Sequence, residues 1–419
     1  MCSAFEPKTW PFPLSLLPKE AHLVGGSVRD QLLRRDASYL DLDFVLPSRA
    51  VETASDLAKA CAAGFVVLDE ERQIARVVFD RLTVDFAQQQ GESLEADLRR
   101  RDFTINAIAY HPLTQTFVDP LDGKTDLANK TIRMVSAQNL AADPLRLMRG
   151  YRQAAQLKFT IEPRTQQTIH QLASKLKKAS IERVRSELDA LLSEQDSTSQ
   201  LSSILEHQLL EFCLPHFNRN SLERLSSINQ AVDWLEATRP RYIELLQQWI
   251  KPTPAGFHRS WIKATRLSCL VGPEVAIAQR ELTSLSYSKS ETQVVLTLLK
   301  AAPTIEQLKY RGLKRSEQFF LFKLAGKHFL AVALLALAQG IELERLEPMI
   351  VRFLDPTDAI AHPKTLVTGT EIMRQCNLSP GPELGRLLQS IEQEQAAGTL
   401  STPAEAICWI KSQYRSQDS

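Results

Sequence analysis

Between Pro120 and Ala142 the hydrophobic period of this chain changes, and that change limits the possible folds more than any other feature. Before it, short apolar runs stand between helical stretches: His22 to Val24, Leu42 to Leu46, Phe65 to Leu68, Ile74 to Phe79 and Leu82 to Phe86. Runs of this length, rich in β-branched and aromatic residues, read as strands. From Ala142 onward apolar residues recur at three and four, as in PLRLMRGYRQAAQL, IERVRSELDALL, LTSLSYSKSETQVVLTLLKAA and FLAVALLALAQG. That is the period of a helix with one buried face. The chain is therefore expected to place an α/β head before a long all-α remainder. Pro252 and Pro254, Pro303, and the segment from His362 to Gly369 are expected to divide the helices into bundles, with a loop from Glu194 to Gln200.

Composition narrows the class further. At 419 residues the chain is too long for one compact core. With 44% hydrophobic and 24% charged residues, 15 Gly and 21 Pro, it is neither collagen-like nor disordered. Fifty Lys and Arg against 49 Asp and Glu leave a net charge of +1, so any surface for nucleic acid must be a local basic face. The six cysteines (Cys2, Cys61, Cys213, Cys269, Cys376, Cys408) form no CxxC pair, which suggests a reducing cytoplasm and no zinc knuckle. The N-terminus lacks a basic segment followed by an apolar run and carries Pro7 and Pro11, so no signal peptide is expected. The apolar run Phe329 to Ala338 is shorter than the roughly 18 residues of a membrane span and reads as a buried helix. No membrane association is expected.

Two constellations carry chemistry, one built on glycines and aspartates and one built on arginines. The first is Gly25-Gly26-Ser27-Val28-Arg29-Asp30 directly after an apolar run, followed by Asp41-Leu42-Asp43 on a second. Period two places Asp41 and Asp43 on one strand face, where oxygen ligands suit Mg²⁺ bridging substrate phosphates. The glycines would let backbone N–H groups approach a triphosphate, and Arg29 could neutralise it. Asp85, in the run LTVDFA, offers a third carboxylate if its strand lies beside that of Asp41. Two or three such acids suit nucleotidyl transfer, in which metal activates a hydroxyl and steadies the leaving pyrophosphate. The second constellation, Arg99-Arg100-Arg101-Asp102-Phe103-Thr104-Ile105-Asn106-Ala107, sets cations for phosphate beside Asp102 and Asn106 for ribose hydroxyls.

In this order GGSVRD, DLD and RRDFTINA resemble the class II tRNA nucleotidyltransferase and bacterial poly(A) polymerase family. Further matches are Asp119-Pro120-Leu121-Asp122-Gly123 with Asp126-Leu127, Asp143-Pro144-Leu145-Arg146 with Arg149, and Ile181-Glu182-Arg183 with Glu187-Leu188. The resemblance implies a polymerase-β-like α/β nucleotidyltransferase head with a mixed sheet (1–138), a helical neck that recognises the base (139–200), a helical body (201–355) and a helical tail that binds tRNA (356–419). It implies Asp41, Asp43 and Asp85 as catalytic acids, with Asp41 and Asp43 on Mg²⁺. Gly25, Gly26, Arg29, Arg100, Arg101, Asp102, Asn106, Asp143, Arg146 and Arg149 would hold CTP or ATP, and the other substrate would be the tRNA 3′ end. No protein partner is implied. Asp143 and Arg146, three residues apart on one helical face, would offer acceptor and donors to a base edge.

Two departures bear on nucleotide choice. Where the family has Glu-Asp-x-x-Arg, this chain has Ala142 before Asp143. The stretch Ala87 to Leu98 is short where CCA-adding and A-adding relatives carry a longer loop, which favours C addition. Rival readings are a poly(A) polymerase of the same superfamily and a catalytically silent RNA-binding protein. Glu182, Arg183 and Glu187 are expected to brace the neck by i, i+4 pairing. Lys175, Lys177 and Lys178, and Lys309, Arg311, Lys314, Arg315 and Lys323, are candidate RNA stripes, with Tyr310, Phe319 and Phe320 expected in the core. The eight histidines show no HxxxH or HD spacing, so no phosphohydrolase domain is assigned.

Overall fold

A computed structural model describes residues 4–35, 39–247, 260–376 and 378–415. Expectations resting on Cys2, Pro252, Pro254 and His258 lie outside the described residues. Contacts divide the chain into two compact units, one ending at Leu209 and one starting at Leu210.

The first unit holds the strands. In chain order it contains β1 (His22–Val24), α1 (Gly26–Leu32), β2 (Leu40–Leu46), α2 (Ala50–Cys61), β3 (Gly64–Asp69), β4 (Ile74–Val78), β5 (Leu82–Gln88) and α3 (Leu94–Leu98). After these come β6 (Ala109–His111), β7 (Thr116–Val118), α4 (Gly123–Ala128), β8 (Thr131–Ile132), α5 (Ala137–Ala142) and α6 (Leu145–Leu157). The unit closes with β9 (Thr160–Ile161), α7 (Pro163–Leu172), α8 (Ile181–Ser193) and α9 (Thr198–Glu206). All five expected strands form. The pairs β6/β7 and β8/β9 were not expected, because strands of two or three residues show no alternation and these stand in no longer apolar run.

Seven strands make one mixed sheet in the order β3-β4-β5-β2-β1-β6-β7. Only β2 and β5 run parallel within it, with Asp43 opposite Asp85 and Asp41 opposite Thr83. Their other faces are buried through Leu42, Phe44, Val84 and Phe86, with the Phe44 and Phe86 rings stacked at 5.4 Å. A parallel pair surrounded on both sides reads as a hydrophobic run, and the polar residues at Asp41, Asp43 and Asp85 interrupt it.

Helices α5 and α6 are separate. Asp143 is extended (φ −129°, ψ 93°) because it precedes Pro144, whose ring excludes the helical region for the residue before it. Asp143 and Arg146 therefore do not share one continuous helix face as expected; Asp143 stands at the junction, its carboxylate accepting from the Leu145 N–H at 3.3 Å.

The DPLDG motif is structural. Asp119 accepts from the Gly123 and Lys124 N–H groups at 2.8 and 2.9 Å, capping α4, and Asp126 of the same helix accepts from Thr104 Oγ1 at 2.6 Å. Thr104 opens the 3₁₀ turn that carries Asn106.

The second unit is all helical among its described residues: α10 (Arg219–Thr238), α11 (Pro240–Gln247), α12 (Trp261–Ser268), α13 (Val275–Ser284), α14 (Lys289–Tyr310), α15 (Arg315–Ala325), α16 (Phe329–Ala338), α17 (Leu343–Leu354), α18 (Gly369–Cys376), α19 (Pro382–Ala397) and α20 (Pro403–Arg415). Pro303 does not divide bundles. It lies inside α14 on the exposed side, where water can meet the carbonyl it leaves unpaired. The break comes earlier, between α13 and α14, at Ser286 (φ 57°) and the Ser288–Glu291 capping box. Arg315–Ala338 is long and apolar enough to cross a membrane, yet 56% of its most apolar window is buried, with α16 packed on α10, α12 and α14. Within it Phe329–Ala338 forms the buried helix α16, as the sequence suggested, separated from α15 by a turn at Gly326. Helices α18 to α20 enclose a small core of their own around Val367, Ile372, Ile391 and Ile410.

The basic stripe of this unit is largely self-compensated. Lys309 pairs with Glu306, Arg311 with Glu317 and Lys323 with Glu392. Of the three aromatics expected in the core, Phe319 is buried, whereas Tyr310 is 79% and Phe320 40% exposed.

Gly123 is required by contact. A Cβ there would lie 2.3 Å from the Thr104 carbonyl oxygen and 2.9 Å from Ile108 Cγ1. Gly123→Ala is expected to destabilise the first unit by about 2 kcal/mol through overpacking against backbone that cannot yield. Chemical denaturation of the variant beside the wild type checks this.

Candidate active site

The site is built where β2, β4 and β5 meet the segment from Arg99 to Asn106 and the start of α6. A cleft of about 1640 Å³ opens there, walled among others by Arg76, Arg100, Arg101, Asp143, Arg146 and Arg149.

Asp41 and Asp43 project from one face of β2, as period two requires. Thr83 Oγ1 donates to Asp41 from the neighbouring strand. Burial raises the Asp43 carboxyl to about 7, with repulsion from Asp85 and Asp41 adding to it against the pull of Arg101 and Arg76. Asp85, expected as a third catalytic acid, does stand opposite Asp43, but its two oxygens accept from Arg76 Nε and Nη2, each at 2.7 Å. Among the described residues no group of three or more His, Cys, Asp or Glu side chains is arranged to cage a metal. Two carboxylates on one face, one of them crowded by like charge, nevertheless fit Mg²⁺, which binds through one or two protein carboxylates and completes its shell with water and substrate phosphate.

Gly25 makes the approach to these acids possible. Its backbone (φ 75°, ψ −138°) is one that side chains rarely allow, and a Cβ would sit 3.3 Å from Arg101 Nη1 and 3.4 Å from Asp43 Oδ2. Gly26 follows at the first position of α1. Arg29, expected to neutralise phosphate, has Nε and Nη2 on Asp30, both at 2.9 Å, and Nη1 on Asn106 Oδ1 at 2.8 Å. It braces Asn106 in this arrangement.

Asp102 and Asn106, expected on ribose, form the centre of a buried network. Asn106 Nδ2 donates to Asp102 Oδ1 at 2.9 Å and Gln153 Oε1 at 3.0 Å, and Arg149 Nε donates to Asp102 Oδ2 at 2.9 Å. Burial alone would raise the Asp102 carboxyl, but the Arg149 guanidinium, the Asn106 amide and the Phe103 N–H outweigh it and hold it at about 2.

The two basic residues of the RRD triplet both reach the cleft. Arg101 contacts Asp97 at 3.3 Å and leaves its buried Nε without a partner; Arg100 extends on the exposed side. Asp143 is engaged by Arg183 Nη2 at 3.2 Å, and Arg146 Nη1 donates to the carbonyls of Arg100 (2.8 Å) and Asn139 (3.2 Å). Glu187 accepts from Arg152 at 2.5 Å and lies 3.9 Å from Arg149. Arg183 and Glu187 meet Asp143, Arg152 and Arg149 on other segments and not i, i+4 neighbours along α8, so their bracing runs between α8, α6 and the α5–α6 junction. Lys178, from the first basic stripe, lines the cleft as well.

Sequence reasoning missed Arg76, Asn139 and Gln153. Arg76 left a trace, a charged residue between Ile74 and Val78 on one face of an apolar strand, whereas Gln153 shares its helix face with Arg149 and Gln156 and reads as solvent-facing. Asn139 left none, because its partners lie at Arg99 and Arg101 and sequence spacing says nothing of that approach.

Two stability experiments follow from this electrostatics. Between the ordinary carboxylate value and about 7, native Asp43 keeps a proton that the unfolded chain has released, so metal-free stability should fall as pH rises through that window. Asp43→Asn is expected to raise the metal-free Tm at pH 8, and Mg²⁺ or Mn²⁺ to raise the Tm of the wild type but not of this variant, in scanning calorimetry. For Asp102 the sign is opposite: its contribution is present above the ordinary carboxylate range and is lost as pH falls toward about 2. Asp102→Asn should cost about 2 kcal/mol at pH 7, less than a fully enclosed pair because 35% of Arg149 is exposed, with the deficit shrinking in acid denaturation.

The chain is similar to known proteins along most of its length. Residues 21–133 match the family profile "Poly A polymerase head domain", and residues 259–410 match a profile for tRNA nucleotidyltransferase domain 2. A CC-adding tRNA nucleotidyltransferase of Synechocystis sp. is 40% identical over 96% of this chain and 95% of its own length. An A-adding tRNA nucleotidyltransferase of Deinococcus radiodurans is 33% identical over 95% of this chain and 96% of its own. Among solved structures, a tRNA nucleotidyltransferase complexed with a primer tRNA and an incoming ATP analog is 26% identical, covers 80% of this chain and 96% of its own, and superposes with a TM-score of 0.64. The chain belongs to the class II tRNA nucleotidyltransferase and poly(A) polymerase family.

Proposed function

We propose that the protein is a template-independent tRNA nucleotidyltransferase that adds C, A or both to the 3′ CCA end of tRNA from CTP or ATP. The observation that carries this reading is the pair Asp41 and Asp43 beside Arg101, next to a cleft whose walls supply cations for phosphate on one side and Asp143 with Arg146 on the other. Nucleotidyltransferases of this family generally use a divalent metal. Here Asp41 and Asp43 would hold Mg²⁺, which when bound would acidify the attacking hydroxyl and steady the departing pyrophosphate.

The remaining work falls to the chain itself. The tRNA 3′ oxygen forms a bond to the α-phosphorus, the α–β anhydride bond breaks, and pyrophosphate leaves. Gly25 and Gly26 give the triphosphate room against the backbone, while Arg100 and Arg101 neutralise it. Asp102, Asn106, Arg29 and Arg149 hold those cations and the ribose subsite in place through their shared network. Asp85 fixes Arg76 at the cleft wall and adds negative field beside Asp43. Asp143 and Arg146 present an acceptor and donors to a Watson–Crick edge, with Arg183 orienting Asp143 where Ala142 supplies no carboxylate.

Residues 1–138 would act as head, 139–200 as neck, 201–355 as body and 356–419 as tRNA-binding tail, in the cytoplasm where tRNA is processed. Between β5 and the RRD triplet stand only a short turn and α3, which supports C addition, as does the 40% identity to a CC-adding relative.

Incorporation of CTP and ATP on tRNA transcripts ending before CCA, after C and after CC tests the reading. C added to the first two and no A on the third is the expected result; A on the third makes a complete CCA enzyme, and unlimited A on any RNA makes a poly(A) polymerase. Asp41→Ala or Asp43→Ala should lower addition by about a thousandfold or more while tRNA affinity in a filter-binding assay stays within about twofold. Full activity in either variant would overturn the assignment.

A further inference from the structure

The backbone of the RRD triplet is held from outside by one carboxamide. Asn139 Nδ2 donates to the carbonyls of Arg99 and Arg101, both at 2.8 Å, while Arg146 Nη1 takes the intervening Arg100 carbonyl at 2.8 Å. Three successive carbonyls are thus drawn toward the α5–α6 junction, and the side chains of Arg100 and Arg101 line the cleft. Asn139 is the third residue of α5, where asparagine is a weak helix former, and its half-buried side chain reaches residues 38 and 40 positions earlier in the sequence. Helix propensity does not account for it, and the two bonds do.

The two hydrogens of one planar NH₂ group lie in a single plane at a set angle. Meeting the Arg99 carbonyl fixes the peptide plane before Arg100, Arg146 on the Arg100 carbonyl fixes the plane after it, and the second Asn139 bond, to the Arg101 carbonyl, steadies the next plane, so the direction of the Arg100 side chain is restricted. Arg100 has no ion pair or hydrogen bond of its side chain to direct it otherwise among the described residues. The aim of this guanidinium therefore comes from its backbone, and its backbone is set by Asn139 and Arg146.

We propose that Asn139 is a positioning residue for the nucleotide triphosphate, acting through Arg100; this rests on the reading that the cleft binds CTP or ATP. Asn139→Asp keeps the shape and removes both donors, turning a carboxylate toward two carbonyl oxygens. Asn139→Ala removes the donors without that repulsion and is the better helix former, so a role confined to holding α5 would leave it unchanged or more stable.

The test is steady-state addition of CTP to tRNA together with equilibrium binding of CTP to the Mg²⁺-loaded protein. Both variants are expected to raise the KM and the Kd for CTP about tenfold, Asp at least as much as Ala, with the KM for tRNA unchanged and the Tm of the Ala variant not lowered. In the Arg100→Ala background the same substitutions should change CTP affinity by less than about threefold, because the group they aim is gone. Unchanged CTP affinity in the Asn139 variants, or an equal loss whether or not Arg100 is present, would overturn the proposal. A wild-type protein that adds no nucleotide to any tRNA would instead overturn the reading on which it rests.

Discussion

The parallel pairing of β2 with β5 is the constraint on which the first unit depends. In that register Asp43 lies opposite Asp85 and two residues from Asp41, so three carboxylates converge on one side of a sheet whose other side is packed with Leu42, Phe44, Val84 and Phe86. Such crowding is unfavourable, and the surrounding structure offsets it only in part. Arg76 saturates Asp85, Thr83 serves Asp41, and Asp43 is left with a carboxyl raised by burial and by its neighbours. A sheet selected for stability alone would not keep this arrangement, whereas one that must attract a divalent cation between protein and phosphate would.

Around that strained centre the polar groups are committed to one another. The network through Arg29, Asn106, Asp102, Gln153 and Arg149 links α1, the 3₁₀ turn and α6, and the acid at its middle is held ionised by its partners. Nearly every buried donor or acceptor in it faces another, which is the condition under which a polar interior rigidifies. Residues that look like free ligands in a motif are therefore paired within the protein here, whereas the Arg100 side chain, which lines the cleft, has no such partner among the described residues.

The second unit shows the converse. Its stripe of cations looked like an RNA surface, yet Lys309, Arg311 and Lys323 are each neutralised by a glutamate close in space. Exposed pairs of this kind contribute little stability. They do remove positive field at those three positions.

Read by itself, the sequence determined the order of head and helices, the first five strands, the glycine turn and the placement of Asp41 and Asp43 on one face. These follow from local rules of period two, period 3.6 and backbone freedom at Gly25, which act within a few residues. Only the tertiary structure decided that Asp85 pairs with Arg76, that Arg29 serves Asn106, that Pro144 separates Asp143 from the helix of Arg146, and that Asn139 holds the RRD backbone. Most of these are contacts between residues far apart in sequence, where many partners have the right chemistry and only chain folding selects one. Pro144 is the exception: its effect on Asp143 was in principle readable, but the helical spacing of Asp143 and Arg146 concealed it until the backbone was seen.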